Sequence, residues 1–389
     1  MDQRITFVIP SRNNLEFLQL AYKSIKNLDG KHEILVLDDA STDGTADWIE
    51  SLNDEKLITY RNDGPERIGI VGMFDKGIQM ARTPIIMAFH ADMVASPNLD
   101  KNILKHLKPL TIVSATRVEP PLHPSGPEKI TLGWGNEVDE YDYDMNVINL
   151  LELENQNKNK TTEGIFAPWC MYREDFLSIG GHDELFAPQS KEDSDLFNRF
   201  VLNGYEIIQS WDALVYHFTS RGSRFNKHSG GSAGVNSQEW LYTTTKNGRN
   251  FIRKWGHFVK HDPLMKPVVP HKYDVEFVVR NCQAQHLELL EPWCNRMSVD
   301  CSQDLINKYI ESEQPNTKFD LSKKFNMNEK SDIIVEFDAL RLNNNSFQFI
   351  QNLSQIFDFN NFDSGEYEFD IFKVKVNRVK HYEMNLINL

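Results

Sequence analysis

Acidic side chains stand where two apolar stretches of this chain end, a position from which they could serve acid–base chemistry or cation binding. The segment EILVLDDASTDGT, starting at position 33, ends its apolar run with Asp38 and Asp39. The segment PIIMAFHADM, starting at position 84, ends its run with a triplet that contains Asp92. Because ligands of open α/β sheets bind just beyond the carboxyl ends of the strands, the pattern predicts a site there. The first segment by itself is also compatible with a strand followed by an acidic surface turn.

A third group of acids lies in the segment KEDSDL, which contains Glu192, Asp193 and Asp195. The segment is predicted to begin a helix, where a carboxylate interacts favourably with the helix dipole, and this alone would account for any one of them. Three carboxylates in four residues repel one another, however. A fold tolerates that arrangement more readily if one of the acids has a chemical role, so the segment is a further candidate for function.

Strands and helices alternate in the part of the chain that must position these acids. Apolar runs predict strands at 5–9, 34–37, 57–60, 84–89 and 111–115. Helical periodicity predicts a helix that begins at 11–14 and others at 73–81, 192–202 and 238–259, with a further strand at 213–218. This alternation is typical of an α/β fold built on a parallel sheet.

Changes of composition predict where the chain divides. A polar region at 117–163 contains Trp134 and ends in LELENQNKNKTTE, which we expect to be a solvated linker. A stretch containing three prolines follows at 261–270. We therefore predict a first domain at 1–260 and a smaller accessory α+β domain, of unknown role, at 261–389.

The balance of charge argues against some partners. The chain has 42 basic and 56 acidic residues and a formal net charge of −14, whereas bulk electrostatic binding of nucleic acid needs a basic surface. The apolar stretch near the N-terminus is too short for a signal sequence, and no run approaches the ~20 apolar residues of a membrane span. We expect a cytoplasmic protein without a membrane span. Its four cysteines show no C-x-x-C pairing, which favours free thiols.

Four motifs in a fixed order, FVIPSRNN, VLDDASTDGT, FHADM and GGHDELFAPQSKEDSDLFNR, resemble the nucleotide-sugar-dependent glycosyltransferases of family 2. The resemblance implies a GT-A fold, a Rossmann-like α/β domain with a mixed, mostly parallel sheet. The first domain would then consist of a donor half at 1–115 and an acceptor half at 116–260. The implied reaction is the inverting transfer of a sugar from a nucleoside diphosphate sugar, with a UDP-sugar favoured, to a hydroxyl group of a carbohydrate or glycoconjugate.

The resemblance also implies which residues hold the nucleotide. They follow the first, second and fourth predicted strands and are Pro10, Ser11, Arg12, Asp38, Asp39 and Ala91. One carboxylate is expected to accept hydrogen bonds from the base or the ribose hydroxyls. We favour Asp39 for this contact and expect Asp38 to be structural.

A divalent cation, Mn²⁺ or Mg²⁺, is implied because departure of a diphosphate is helped by a hard ion on its oxygens. Members of the family typically offer Asp-x-Asp after the fourth strand, but here the triplet is HAD, so His90 replaces the first acid and Asp92 remains. His217, at the end of a predicted strand, matches the position of a metal-binding histidine in GT-A enzymes. A lone histidine at a strand end is equally compatible with a packing or surface role.

Proton transfer is assigned through the same resemblance, since the aspartate of the Glu-Asp pair is the general base in the family. This role falls on Asp193, with Glu192 beside it. The Gly- and Ser-rich loop at 219–234 is expected to be a lid whose cations clamp the diphosphate, and these are Arg221, Arg224 and Lys227.

Two tryptophans, Trp169 and Trp134, are candidates for stacking on sugar rings at the acceptor side, although each is as compatible with the core. A sugar nucleotidyltransferase is a second enzyme hypothesis, but those enzymes need a Gly-rich loop where this chain has PSRNN. A third hypothesis is a sugar-nucleotide-binding or scaffolding module whose metal site has degenerated. His90 motivates that hypothesis, and the intact KEDSD segment argues against it.

Overall fold

The computed structural model describes residues 3–325 and 331–388, and these form two compact units. The first contains the chain up to Thr244 together with His261–Val268, and the second contains Thr245–Lys260 and Val269–Asn388. The division therefore falls inside a long helix, and not at 260 as we predicted. Ile252, in the C-terminal part of that helix, belongs to the apolar core of the second unit, which explains the difference.

The first unit is built on a mixed sheet in which strands lie in the order β3-β2-β1-β4-β9-β6-β10-β5. Neighbours β1, β2, β3 and β4 are parallel, as are β6 and β10, whereas β9 is antiparallel to β4 and β6. The strands are β1 Ile5–Ser11, β2 Glu33–Asp39, β3 Leu57–Asn62, β4 Ile85–Ala88, β5 Met93–Ala95, β6 Thr111–Glu119, β7 Ile130–Thr131, β8 Thr161–Thr162, β9 Trp169–Tyr172 and β10 Glu206–His217.

Helices cover this sheet, which is why its central strands are apolar without alternation. They are α1 Leu15–Lys26, α2 Thr45–Ser51, α3 Gly69–Met80, α4 Leu99–Leu104, α5 Tyr143–Gln156, α6 Arg173–Ser178 and α7 Glu192–Leu202. Helix α8, Gln238–Trp255, passes from the first unit into the second. Short 3₁₀ turns lie at Val138–Glu140, Glu184–Phe186 and Lys227–Ser229.

Helix α5 corrects the expected solvated linker, because it includes the first half of LELENQNKNKTTE. The carboxylate of Asp142 accepts a hydrogen bond from the N–H of Met145 and caps the helix. Leu150 is fully buried in a small apolar cluster with Tyr216 and Phe218. Few of the helix's residues are buried, so its sequence carries little helical periodicity.

The second unit has its own sheet, in the order β12-β11-β13-β15-β14. Its strands are β11 Val275–Arg280, β12 Arg296–Val299, β13 Ile333–Asp338, β14 Gly365–Phe369 and β15 Phe372–Val376. Its helices are α9 Ala284–Leu290, α10 Gln303–Glu313, α11 Leu321–Lys324, α12 Asn344–Gln351 and α13 Leu353–Asn360, with 3₁₀ turns at Glu291–Trp293, Gln314–Asn316, Ala339–Arg341 and Glu383–Leu386.

The fold class predicted from the sequence, an α/β domain with a mixed, mostly parallel sheet followed by a smaller domain with a sheet of its own, is confirmed. Cys170, Cys282, Cys294 and Cys301 are free thiols, as expected. Within the described residues, none of the helices combines the length and the apolar character that crossing a membrane requires.

Candidate active site

A cavity of about 250 Å³ lies at the carboxyl edge of the first sheet. Most of the residues predicted for the site line it, namely Pro10, Ser11, Arg12, Asp39, Ala91, Asp92, Glu192, Asp193 and His217. The others are not part of its lining, and these are Asp38, Arg221, Arg224, Lys227, Trp134 and Trp169. The strand ends therefore bring together side chains that are far apart in sequence, as the topology requires.

Asp39, the last residue of β2, also holds the start of helix α3. Its Oδ1 accepts hydrogen bonds from the N–H of Ile68 and the side-chain amide of Asn62, both at 2.8 Å, and its Oδ2 accepts one from the N–H of Gly69 at 2.7 Å. Gly69 has φ +88°, and a Cβ there would lie 2.4 Å from Pro188, so only glycine fits. Asp39 thus borders the cavity while its oxygens are engaged in fixing one wall.

Asp38 turns away from the cavity and is 1% exposed. Its Oδ1 accepts a hydrogen bond from the N–H of Ser41 at 3.0 Å, and its Oδ2 lies 3.9 Å from the guanidinium Nε of Arg61. Alternation along a strand places adjacent side chains on opposite faces, which is why only one of the two aspartates borders the cavity.

Among the described residues, several that line the cavity have a buried polar atom without a hydrogen-bond partner, and Ser11 and Asn14 are two of them. Neither the hydroxyl of Ser11 nor the side-chain nitrogen of Asn14 has a hydrogen-bond partner among the described residues, and each residue is 5% exposed. Buried polar groups are normally satisfied, so both are available to a polar ligand. Sequence reasoning missed Asn14, because an asparagine before a helix is ordinarily interpreted as a cap.

His90, Asp92 and His217 form a cluster whose ligand atoms all lie within 4.8 Å of one another. Nε2 of His217 is 3.5 Å from Oδ1 of Asp92, and Nδ1 of His217 is 2.8 Å from a carboxylate oxygen of Glu119. The other Asp92 oxygen accepts the N–H of Arg221 at 2.6 Å. From the sequence we interpreted His90 only as the replacement of an acidic metal ligand, whereas an imidazole can itself bind a metal ion.

The charges in this cluster perturb one another strongly. Burial alone would raise the pKa of Asp92, but the imidazoles of His217 and His90 lower it to about 2. Burial alone would lower the pKa of His217, but the carboxylates of Asp92 and Glu119 raise it to about 9. Burial lowers the pKa of His90. Burial would raise the pKa of Glu119, but Arg117 and His217 bring it below its usual range.

These residues fit a divalent cation. Asp92 is ionised, and the burial of His90 favours its neutral form, which is the form that binds metals. Glu119 faces Nδ1 of His217, the arrangement in which a carboxylate orients a metal-binding imidazole and leaves Nε2 for the ion. A cation bound at Nε2 would displace the proton that the two carboxylates otherwise stabilise. One carboxylate and two imidazoles suit a first-row ion such as Mn²⁺ better than Mg²⁺.

The acids of the KEDSD segment have separate environments at the start of α7. Asp195 is fully buried and bonds to the Nε of Arg199 at 2.9 Å. Glu192 is 7% exposed, and burial together with the nearby Asp193 raises its pKa well above the usual range. Asp193 is partly exposed and lines the cavity. The repulsion noted in the sequence is thus relieved by an arginine at Asp195 and by a raised proton affinity at Glu192.

The loop after β10 borders the cavity through its backbone and small residues Ser220, Gly222 and Ser223. The guanidinium of Arg221 instead bonds to Glu137 at 2.9 Å and to the carbonyl of Asn136. Two of the three predicted lid cations therefore contact an acid, since Lys227 also pairs with Glu137, at 3.0 Å.

Arg224, the third lid cation, bonds to the side chain of Asn236, and its guanidinium carbon lies 4.7 Å from the ring centre of Trp240. None of the three guanidinium or ammonium groups of the predicted clamp lines the cavity. Trp240, on α8, does line it, although the sequence did not predict this residue for the site. The ring of Trp240 is an aromatic surface in the cavity lining on which a planar base can stack.

Neither of the tryptophans predicted for the acceptor lies at the cavity. Trp169 is 1% exposed and stacks on Phe176 with ring centres 5.9 Å apart, so no face of its indole is open to a sugar. Trp134 stacks on Tyr216 at 5.6 Å in the cluster below α5. The burial of Trp169 favours its core interpretation over stacking on a sugar.

Comparison with known proteins identifies the segment that carries the first motifs. Residues 6–178 match the family described as Glycosyl transferase family 2. These residues belong to that family. The match includes Asp39 and Asp92 and ends before Asp193 and His217. No curated protein sequence matches the chain significantly.

Several solved structures are similar to the chain. GalNAc-T7 with UDP, GalNAc and Mn²⁺ has 13% identity and a TM-score of 0.46 over 65% of this chain and 50% of that one. TarS 1-349 of S. aureus has 14% identity and a TM-score of 0.41 over 56% and 61%. The mannosyltransferase PcManGT from Pyrobaculum calidifontis, in complex with GDP-Man and Mn²⁺, has 16% identity and a TM-score of 0.44 over 92% and 88%. The chain thus spans half of the first and about three fifths of the second.

Proposed function

We propose that this chain is an inverting glycosyltransferase that moves a sugar from a nucleoside diphosphate sugar, preferably a UDP-sugar, to a hydroxyl group of a carbohydrate or glycoconjugate. One observation carries the proposal. A single cavity is lined by Asp39 at the end of β2, Asp92 after β4, Asp193 at the start of α7 and His217 at the end of β10. A nucleotide pocket, a cation site and a candidate base therefore share one space, which is what glycosyl transfer needs.

The nucleoside would occupy the end of the cavity bordered by β1, β2 and α8. The unpartnered hydroxyl of Ser11 and the amide of Asn14 are suited to polar groups of a ligand, and the ring of Trp240 is suited to a base. Asp39 keeps lone pairs beyond its three hydrogen bonds, so it can accept another from the base or ribose. Arg12 and Arg67 also line the cavity, and both pair with Glu239. They would contact the diphosphate by exchanging that carboxylate for the phosphate oxygens.

A divalent cation, Mn²⁺ or Mg²⁺, would be held by His90, Asp92 and His217 and would neutralise charge on the departing diphosphate oxygens. The two imidazoles favour Mn²⁺ of the two. Glu119 holds the ring of His217 through Nδ1, so that Nε2 faces Asp92. This role for His90 removes the main motive for a degenerate, non-catalytic module.

Asp193 would act as the general base. The acceptor hydroxyl gives its proton to the Asp193 carboxylate while its oxygen forms a bond to the anomeric carbon, and the bond from that carbon to the diphosphate oxygen breaks on the opposite face. The configuration inverts as a result. Burial favours the protonated form of Glu192 beside it, which makes Glu192 the poorer candidate for the base.

The test combines binding with product stereochemistry. UDP and GDP binding would be measured by calorimetry with Mn²⁺, and transfer from UDP- and GDP-sugars to a panel of saccharides would be followed by NMR of the anomeric proton. Asp193→Asn should bind nucleotide like the parent but transfer ~10²- to 10⁴-fold more slowly. The control is Asp63→Asn, because Asp63 is 94% exposed and lies outside the cavity lining.

Other outcomes would separate the alternatives. A collapse of transfer in Glu192→Gln but not in Asp193→Asn would move the base by one residue. Retention of the donor's anomeric configuration would refute the inverting mechanism. Nucleotide binding by the parent without transfer to any acceptor, and without slow hydrolysis of any donor, would favour a binding module instead.

A further inference from the structure

The second unit brings two histidines and a glutamate together from the two ends of its sequence. Ligand atoms of His271, His381 and Glu383 all lie within 4.8 Å of one another. Main-chain contacts hold the two segments in register, since the N–H of Tyr382 donates to the carbonyl of Lys272 at 2.9 Å and the N–H of Lys272 donates to Oε2 of Glu383 at 3.0 Å. One main-chain hydrogen bond and one bond from a main-chain N–H to the Glu383 carboxylate therefore join the two segments that carry the cluster.

A neighbouring carboxylate orients the imidazole of His271. Asp358 lies 2.9 Å from Nδ1 of His271 and accepts the N–H of the same residue at 3.2 Å. The hydroxyl of Tyr273 donates to Asp358 at 2.7 Å and holds the carboxylate in place. Nε2 of His271 is consequently directed toward Oε1 of Glu383, 3.9 Å away. Carboxylates in this position behind a histidine are characteristic of metal-binding imidazoles.

We propose that His271, His381 and Glu383 bind a divalent transition-metal ion of the Zn²⁺ class. Two imidazoles and one carboxylate suit Zn²⁺, Co²⁺ or Ni²⁺, whereas Ca²⁺ and Mg²⁺ prefer sites made wholly of oxygen. Glu383 is 5% exposed, and its second oxygen already accepts a main-chain N–H, so its free oxygen is well placed. His381 is exposed, which gives an ion and its remaining water ligands access from solvent.

The stacking of the two imidazole rings means that one of them must move before both can bind the same ion. The imidazoles of His271 and His381 are stacked, with centres 3.8 Å apart and planes inclined by 19°. Nitrogen lone pairs lie in the ring planes, so the lone pairs of stacked rings run side by side and do not meet at one point. His381 must therefore tilt out of the stack when the ion binds. Asp358 restrains His271, and the exposed ring of His381 is the one with room to turn.

The consequence for the second unit is a link between its two ends. An ion at this site joins the residues that precede β11 to the segment that follows β15. Because a ligand that binds only the folded state stabilises it, Zn²⁺ should raise the unfolding temperature of this unit. The effect should be independent of nucleotide, since every residue of the cluster belongs to the second unit.

The test separates this cluster from the one in the first unit. Asp92→Ala with His217→Ala removes two ligands of the first cluster, and the full-length double variant would be titrated with Zn²⁺ by calorimetry and with Co²⁺ by visible absorption. Binding should persist in this variant and disappear when His271→Ala or His381→Ala is added. Asp358→Asn should weaken it ~10- to 100-fold, because it only orients a ligand. His228→Ala, an exposed histidine outside the cluster, is the control.

Two results would overturn the proposal. One is a double variant that binds neither ion, and the other is binding that His271→Ala and His381→Ala leave unchanged. If the double variant fails to fold, the parent and His381→Ala supply the same comparison. His381→Ala should then bind one ion fewer per chain than the parent. An equal number of bound ions in the two proteins would refute the site.

Discussion

Replacing Asp39 by asparagine should loosen the start of helix α3 as well as weaken nucleotide binding. The carboxylate accepts the N–H groups of Ile68 and Gly69 and the amide of Asn62 at 2.7–2.8 Å. An asparagine side chain is nearly the same size, but its amide nitrogen would meet one of these donors and leave it unsatisfied. The substitution therefore tests a structural role that the position of Asp39 in the cavity does not reveal.

The magnitude follows from the three bonds. An unsatisfied buried donor costs ~1–3 kcal/mol, and each of the other two bonds loses part of its strength when the acceptor becomes neutral. Together these give a loss of about 2–4 kcal/mol in the free energy of unfolding, less than the total stability of most domains. The variant should fold with a weakened α3 start.

Hydrogen exchange followed by mass spectrometry measures this effect locally, which is useful because a chain with two units need not unfold in one step. The amides of Ile68 and Gly69 should exchange faster in Asp39→Asn by a factor of roughly 30 to 1,000, as that free-energy loss requires. Peptides from the second unit should exchange at the same rates in the variant and in the parent. If the exchange rates at 68–69 were unchanged but UDP binding were lost, Asp39 would only contact the ligand. If neither the exchange rates nor UDP binding changed, both roles of Asp39 would be refuted.

Three further predictions concern the cavity and its support. Electron paramagnetic resonance should detect only weak Mn²⁺ binding to the parent without UDP. Asp92→Ala or His90→Ala should abolish the increase in UDP affinity that Mn²⁺ produces. Tight binding of Mn²⁺ alone that neither substitution affects would contradict this prediction. Trp240→Ala should weaken UDP binding about tenfold in calorimetry, given the ~1–3 kcal/mol typical of base stacking on an aromatic ring. Asp195→Asn should lower the free energy of unfolding, measured with urea, by ~3–5 kcal/mol, because it leaves the buried Arg199 without its charged partner. A loss below about 1 kcal/mol would show that this ion pair does not stabilise α7.

The strands that place the cavity could be predicted because they are buried on both faces and their sequences are continuously apolar. Runs such as ITFVI and EILVL end two residues before strands β1 and β2 do, which was close enough to assign Asp39 to the correct edge of the sheet. Helix α5 was missed because few of its residues are buried.

The residues of the site that escaped prediction depend on contacts between distant parts of the chain. Trp240 has the spacing of a packing residue and borders the cavity only because of where α8 lies in the first unit. Arg221 has a sequence context typical of a mobile lid, but its partner Glu137 is far earlier in the chain. His90 was recognised as a departure from an acidic motif, and only the proximity of Asp92 and His217 makes it a third ligand.

Arg221 joins two parts of the first unit that would otherwise respond separately to a ligand. Its main-chain N–H bonds to Asp92, while its side chain, 2% exposed, bonds to Glu137. A rearrangement of the loop that breaks the contact of Arg221 with Glu137 also disturbs its hydrogen bond to Asp92. The free energies of loop ordering and of cation binding by Asp92 are therefore linked. Linkage is reciprocal, so ordering of the loop changes the apparent affinity for the cation by the same factor as the cation changes the ordering equilibrium of the loop. A substitution at Glu137, outside the cavity lining, should therefore change the affinity for the cation.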